Sequence, residues 1–395
     1  MDLTFTEEER AFRREAREWL EANVPPGPHP SGDTREGFAF CKHWEQKLAG
    51  ARWAVVSWPE RYGGRDATLF EWLVFEEEYY RASAPQRVSQ NGIFLLAPTL
   101  FEFGSEEQKD RILPAMAAAR VLWAQGWSEP GAGSDLASLR STAVRDEARG
   151  GWRLNGQKTW CTRAAFCDHL FGLFRTSTSA EQARHKGLTY FLVDLRAPGV
   201  TVRPVARLDG DEGFADVFVE DVFVPDRDVL GGVDEGWSVA MATASSERGL
   251  SLRSPGRFVA TACRLRELYL RMRAIRGKSA VSACRERVVD ALLDAEAYRL
   301  HTFQTVTKLV ETAKPLGPEA SLTKLFWSEM DLASHETALE LLGDRAPLVD
   351  GADGAVDHGA WMKGFEFALA GPIYAGTNEI QRNVVAERVL GLPRK

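Results

Sequence analysis

The sequence changes its hydrophobic rhythm twice, and these two changes limit the fold more than any other feature. From about residue 121 to residue 230 the chain forms short β-branched or aromatic runs bounded by glycine and proline, such as Val200–Val205 and Val217–Val224. On both sides of this region the apolar residues recur at helical spacing, as in the long stretch Val288–Thr312. The pattern predicts a mainly α protein with a β middle domain, divided into residues 1–120, 121–232 and 233–395.

Local signals predict where several elements begin and end. Thr6 and Glu9 have the spacing of a capping box at the start of a helix. Gly150-Gly151 and Asn155-Gly156 predict two hairpin turns in the β region. Helices are predicted around Phe70–Tyr80, Ile93–Phe103, Glu106–Ala119, Phe258–Ile275, Val288–Thr312 and Glu319–Leu342, with an interhelical turn at Pro315–Pro318.

Composition and charge exclude several classes of protein. The chain is 44% hydrophobic and 27% charged, which is typical of a globular protein, and its net charge of −7 argues against a general nucleic-acid binder. No run approaches the ~18 apolar residues of a membrane span, and the acidic start lacks the basic region of a signal peptide. The five cysteines are scattered, and the histidines are dispersed, so neither a disulfide framework nor a metal site is indicated. We therefore expect a cytoplasmic protein without membrane insertion.

Three strings carry the functional signal: Trp127–Asp135, Asn155–Thr162 and Ile373–Arg382. The first contains a proline, three small residues and two hydroxyls, which suit a tight loop that approaches a flat polar ligand closely. The second places an indole and a hydroxyl near each other, and the third is a loop that enters a helix. Taken singly, each string has a simpler interpretation as a surface turn, a core residue or a helix N-cap.

In this order and spacing the strings resemble the acyl-CoA dehydrogenase family, and the resemblance covers essentially the whole chain. It implies an α-helical N-terminal domain, a middle β-barrel domain and a C-terminal four-helix bundle. It also implies non-covalent FAD and oxidation of a CoA thioester at Cα–Cβ, in which a carboxylate takes the α-proton and the β-hydrogen leaves as hydride to flavin N5. Further matching strings are Phe103-Gly-Ser-Glu-Glu-Gln-Lys, Pro198-Gly-Val, Asp221-Val-Phe-Val-Pro, Gly236-Trp and Ala386-Glu-Arg-Val-Leu-Gly-Leu-Pro.

The resemblance also implies the residues of the site. Residues on the first two strings match positions beside the isoalloxazine ring, and Ser134 matches a hydroxyl near both flavin and thioester. The third string matches a loop on the adenosine or phosphate side of FAD, although Thr377 alone would serve as an N-cap and Trp160 as a core residue. The expected cofactor-binding residues are Trp127, Ser128, Ser134, Trp160, Thr162, Arg276, Thr377 and Glu379, and the expected substrate-binding residues are Ser134, Arg248 and Ala375.

The catalytic base departs from the commonest pattern of the family. The usual glutamate of Tyr-Glu-Gly-Thr is Ala375 here, whose backbone N–H remains available to the thioester oxygen. The branch resembling isovaleryl-CoA dehydrogenase instead carries the glutamate before an arginine on the helix after Gly-Trp, where this chain has Glu247 and Arg248. Ala240, Ala244 and Glu247 share one helix face, and a glutamate on an apolar face is costly unless it is paired or functional. We predict Glu247 as the base; a Glu–Arg pair closing a helix end is the alternative.

Two departures affect the expected FAD contacts. After Arg276 the family's downstream glutamine is replaced by Glu286 or Arg287, and its glycine-rich adenine loop is reduced to Leu342–Arg345. A second hypothesis is therefore a partner subunit of a hetero-oligomer, without complete chemistry of its own, and a third is a flavin monooxygenase or oxidase on the same fold. The expected partners are an acyl-CoA, an electron-transferring flavoprotein as acceptor, and further subunits in a homo-oligomer (dimer or tetramer) or a hetero-oligomer.

Overall fold

The computed structural model of the chain describes residues 4–177, 185–248, 254–312 and 317–393, and for residues 245–248 it describes the backbone alone. The chain divides into two compact units. The helical unit comprises Met1–Pro28, Thr68–Ala84 and Arg248–Lys395, and the sheet unit comprises His29–Ala67 and Pro85–Glu247.

Both units contain helices. Two short π-helical segments lie next to them: Asn91–Leu96 precedes α4, and Val385–Val389 follows α12. In chain order the helices are α1 (Glu7–Asn23), α2 (Arg35–Gly50), α3 (Leu69–Arg81), α4 (Ala97–Phe103), α5 (Glu106–Ala117), α6 (Gly236–Arg248), α7 (Pro255–Arg276), α8 (Lys278–Val281), α9 (Arg285–Thr312), α10 (Ala320–Leu342), α11 (Ala360–Ala368) and α12 (Asn378–Val384). Within the described residues, no helix is long and apolar enough to cross a membrane.

The helical unit packs the long helices α7, α9 and α10 around a shared apolar core. Leu265, Leu268 and Met272 of α7 meet Val288 of α9 and Leu341 of α10 in this core. A second cluster, nearer the start of α7, contains Phe258, Ala262, Ala295, Tyr298, Trp327 and Met330. The N-terminal helices α1 and α3 belong to the same unit, because a charge network around Glu78 joins them.

The strands of the sheet unit form one mainly antiparallel sheet. Its described order is β6-β7-β3-β2-β4-β5-β8, and β1 lies parallel to β4. One face carries the core of the unit, to which Trp152, Leu154, Phe174, Phe191 and Val217 contribute. The strands are β1 (Trp123–Gly126), β2 (Thr142–Asp146), β3 (Gly151–Lys158), β4 (His169–Arg175), β5 (Leu188–Asp194), β6 (Val200–Val205), β7 (Phe214–Pro225) and β8 (Val229–Leu230).

A buried carboxylate holds the segment before α2 against the sheet. Asp33 accepts hydrogen bonds from Arg163, at 2.6 Å, and from Arg207, at 2.7 Å. Burial raises the pKa of Asp33, but the two arginines outweigh burial and leave its pKa below the ordinary value. The carboxylate is therefore ionised in the neutral range and fixes two different connections of the sheet unit at one point.

The mainly α fold with a β middle region is confirmed, and so are most predicted elements. The Thr6–Glu9 capping box is present, and the Gly150-Gly151 turn joins β2 to β3. The predicted hairpin at Asn155-Gly156 is wrong, because both residues lie inside β3, where the pairing with β7 shifts register as in a β-bulge. A Cβ on Gly156 would lie 2.1 Å from Ser141 Oγ, so the glycine serves close packing instead of a turn.

Other differences concern single elements. The predicted helix Ile93–Phe103 is π-helical over its first half. Helices α2 and α11 and strands β1 and β4 were not predicted. The turn predicted at residues 315–318 lies partly outside the described residues, and the boundaries at residues 120/121 and 232/233 stay a prediction.

Candidate functional site

The loop after β1 turns back on itself immediately after Ser128. The backbone N–H of Glu129 donates to the Ala132 carbonyl at 2.9 Å, and the N–H of Ala132 donates to the Glu129 carbonyl at 3.0 Å. A Cβ built on Gly131 or Gly133 would meet nothing within 4 Å. Packing within the described chain therefore does not require glycine there, whereas a ligand that approaches the backbone closely would.

Two side chains just before this loop carry polar atoms without hydrogen-bond partners among the described residues. Trp127 Nε1 and Gln125 Nε2 are buried, and neither has a hydrogen-bond acceptor among the described residues. Trp127 and Gln125 are two residues apart, so they point to the same side of the strand and its extension. Buried donors of this kind are costly unless a bound group accepts from them. The residues present therefore fit a flat ligand rich in acceptors, as the isoalloxazine ring of FAD is.

The segment after β3 lies directly against this loop. The Thr159 N–H donates to the Ser128 carbonyl at 2.9 Å, and Thr159 Oγ1 donates to Asp216 at 2.5 Å. Trp160 adopts a φ of 56° and leaves 61% of its surface exposed, with its ring at 5.7 Å from that of Phe214. An exposed indole held in a strained backbone conformation is suited to stacking on a ligand. The bond between Thr159 and Ser128 thus places the Trp127–Ser128 and Trp160–Thr162 segments side by side, and their contacts with a flavin stay a prediction.

Helix α6 carries the predicted base. Its residues Val239, Ala240, Thr243 and Ala244 are buried, so one face of the helix is turned inward. The Thr243 hydroxyl lies 2.8 Å from Thr99 Oγ1 of α4 and 3.3 Å from the Tyr190 hydroxyl of β5. These contacts hold α6 against both a helix and a strand of the sheet unit, and sequence analysis did not find them. The side chains of Glu247 and Arg248 lie outside the described residues.

The loop before α12 and the first turn of that helix, in the helical unit, contain the predicted residues Ala375, Thr377 and Glu379. Ala375 has a φ of 57°, and its N–H has no acceptor among the described residues. Thr377 caps α12 by accepting from the Ile380 N–H at 3.2 Å. Glu379 is exposed and lies 4.0 Å from Arg382. The loop therefore leaves the Ala375 N–H available to a ligand, whereas the Glu379 carboxylate interacts with Thr377 and Arg382.

Arg276 is the last residue of α7. Its guanidinium donates to the carbonyls of Glu340 and Leu341, at 3.0 and 2.6 Å, and so satisfies the last turn of α10. Glu340 in turn pairs with Arg287. Arg276 and Arg287 are thus both engaged by α10. Ser134, in the sheet unit, is exposed beyond the turn of the first loop.

Comparison with known proteins identifies the class. Models of the acyl-CoA dehydrogenase N-terminal, middle and C-terminal domains match residues 6–120, 124–222 and 234–390. The chain belongs to the acyl-CoA dehydrogenase family, as the sequence predicted. It is an oxidoreductase of a family whose members bind FAD.

Individual relatives extend over the whole chain. Acyl-CoA dehydrogenase IpdE1 of Mycobacterium tuberculosis is 38% identical over 392 residues, which cover 97% of this chain and 98% of the relative. The ChsE4–ChsE5 complex from the same organism contains a chain that is 27% identical, with a TM-score of 0.85 and full coverage of both chains. The Tcur3481–Tcur3483 steroid ACAD is also 27% identical, with a TM-score of 0.84 and full coverage.

Proposed function

We propose that the protein catalyses the FAD-dependent α,β-dehydrogenation of an acyl-CoA thioester, with Glu247 as the base that removes the α-proton. Membership of the family supports the reaction class. The similar structure described as a steroid ACAD supports a bulky, cyclic acyl group as the substrate class. An electron-transferring flavoprotein is the proposed acceptor of the electrons.

The observation that carries this proposal is the inward-facing surface of α6. Alanine at position 375 cannot accept a proton, so the base must lie elsewhere. Position 247 follows Thr243 by four residues and Ala240 by seven, which is the spacing at which residues of one helix share a face. The contacts of Thr243 with Thr99 and Tyr190 fix this face in place. A base must be held within hydrogen-bond reach of the proton that it takes, and a clamped helix provides this.

Further groups of the chain take part in the proposed reaction. When bound, FAD would supply the acceptor for the β-hydrogen, which leaves as hydride. The Ala375 N–H donates to the thioester oxygen and stabilises the charge that develops there as the α-proton leaves. Trp160 and Trp127 provide walls that orient the ring system and exclude water. We assign Ser128, Thr162, Thr377, Glu379 and Arg276 to the cofactor, Arg248 to the substrate, and Ser134 to both.

An anaerobic titration of the purified protein tests the reaction and the base together. Straight, branched and cyclic acyl-CoAs are added in turn, and loss of the visible flavin absorbance is followed for wild type and for Glu247→Gln. Glu107→Gln on α5 is the control, because it removes an exposed helical carboxylate of the same unit. We expect a cyclic acyl-CoA to bleach the flavin of wild type and control, and the flavin of Glu247→Gln to stay oxidised.

Other outcomes of this titration would contradict specific parts of the proposal. Bleaching that survives in Glu247→Gln would place the base elsewhere. Bound FAD that no acyl-CoA reduces would refute the dehydrogenase reaction. Rapid oxygen uptake by the reduced protein would favour a flavin oxidase or monooxygenase on this fold.

A second candidate function is that of a partner subunit in a hetero-oligomeric dehydrogenase. It is favoured by the end of α7, where Arg276 is engaged by α10 carbonyls and Arg287 by Glu340. The similar ChsE4–ChsE5 structure is itself a complex of two named chains. Flavin content separates the two functions. Less than one FAD per chain after purification alone, restored by co-expression with a second chain of the family, would support the partner role.

A further inference from the structure

Lys158 is the most completely buried charged residue of the sheet unit that the structure describes. Its side chain is 0% exposed, and its ammonium donates to Glu129 Oε1 at 2.8 Å and to the Leu173 carbonyl at 2.7 Å. Burial lowers the pKa of Lys158, and the neighbouring Glu129 carboxylate opposes that change. The ammonium also lies 4.7 Å from the centre of the Phe174 ring.

The Glu129 carboxylate, the partner of Lys158, is also fixed by several hydrogen bonds. Besides Lys158, its carboxylate accepts from the backbone N–H groups of Arg140, at 2.6 Å, and Ser141, at 3.0 Å. Burial raises the pKa of Glu129, but Lys158 and these hydrogen bonds outweigh burial and lower the pKa. Both side chains therefore have their hydrogen-bond partners inside the sheet unit, and Lys158 favours the ionised form of Glu129.

A buried ion pair of this kind is weak grounds for stability, because desolvation offsets much of the attraction. Its position in the chain suggests another role. Glu129 directly follows Ser128, and Lys158 precedes Trp160 by two residues. The Thr159 N–H donates to the Ser128 carbonyl between them. The pair thus joins the two segments that the proposed function assigns to the isoalloxazine ring, and it anchors both to β4 through Leu173.

We propose that Glu129 and Lys158 are positioning residues: they fix the Trp127–Ser128 loop relative to the Trp160–Thr162 segment, so that one flavin ring meets both. This inference rests on the proposed function. Neither side chain contacts the cofactor in this account. A binding surface formed by two loops loses affinity when one loop shifts by about 1 Å relative to the other. The relative position of these two segments therefore determines how tightly FAD binds.

The test compares Lys158→Met, Glu129→Gln and the double variant Glu129→Gln/Lys158→Met. Apoprotein is titrated with FAD, and the FAD dissociation constant, the visible circular dichroism of the bound flavin and the thermal midpoint are recorded. Glu45→Gln is the control, because Glu45 is a buried carboxylate of the same unit that accepts from the Val88 and Ser89 N–H groups. It should lower the thermal midpoint and leave FAD affinity unchanged.

We expect Lys158→Met to lower the thermal midpoint, weaken FAD binding about tenfold or more and alter the dichroism. The double variant should regain much of the thermal midpoint, because no unpaired charge is left buried, without regaining FAD affinity. Recovery of wild-type affinity and dichroism in the double variant would show a purely structural pair and overturn the inference alone. Wild-type protein that binds no FAD would overturn both the inference and the proposed function.

Discussion

Glu78 is the centre of the charge network that joins α1 to α3, and its ionisation predicts how stability depends on pH. Its carboxylate is 1% exposed and accepts hydrogen bonds from the side chains of Arg13, Arg17 and Arg81. Burial raises the pKa of Glu78, but hydrogen bonds from the three arginines outweigh burial and lower the pKa from 4.5 to about 2. A difference of this size between the unfolded and folded states corresponds to about 3 kcal/mol of stability at neutral pH.

The folded-state pKa is the lower one, so this contribution is complete above pH 4.5 and is lost as the pH falls towards 2. Glu78→Gln should therefore reduce the free energy of unfolding by about 2–3 kcal/mol near pH 7 and by much less near pH 3. Urea denaturation of the FAD-loaded protein at both pH values measures the difference. Glu18→Gln, at an exposed position of α1, is the control and should have little effect at either pH. An equal loss for Glu78→Gln at both pH values would refute this reasoning.

Three further predictions concern the sheet unit and the cysteines. Thr243→Val should lower the free energy of unfolding by about 1–3 kcal/mol and slow flavin reduction by substrate, because the buried Thr99 and Tyr190 hydroxyls lose a partner. Calorimetry and stopped-flow absorbance measure the two effects. Thr302→Val is the matched control, because it loses only a bond to its own helix. Gly131→Ala should leave the thermal midpoint of the apoprotein unchanged but weaken FAD binding, whereas Gly156→Ala should lower the midpoint through its contact with Ser141. Burial raises the pKa of Cys41 and of Cys161 to about 12, so both thiols are poorly reactive near pH 8. An alkylating reagent should therefore modify the partly exposed Cys263 first, as mass spectrometry would show.

Elements whose signals are local were predictable from the sequence. The Thr6–Glu9 capping box and the periodic apolar face of α9 depend on residues within a few turns of one another, and both appear in the structure. Helix α2 carries a comparable local signal, although it was not among the predicted elements. Its N-cap Thr34 is followed by Phe38, Cys41 and Leu48 on one buried face.

Features that depend on distant parts of the chain were not predictable in the same way. Asn155-Gly156 has the composition of a hairpin turn, but pairing with β7 on one side and contact with Ser141 on the other keep it inside a strand. Strand β4 contains a glycine and is buried along most of its length, so its pairing with β1 and β5 decides its conformation. The Glu129–Lys158 pair joins residues 29 positions apart, and neither residue type indicates a buried ion pair by itself.

The loop before α12 explains how the family's usual acid can be absent without loss of local structure. A non-glycine residue at the positive φ of Ala375 costs about 1 kcal/mol. The amide of Gln381 offsets this by donating to the carbonyls of Ala375, at 2.8 Å, and Gly376, at 3.3 Å. Asn378 adds a backbone bond to Pro372 and accepts from Lys324 at 2.6 Å. None of these contacts involves a side chain at position 375, so the loop holds the Ala375 N–H in position without a glutamate there.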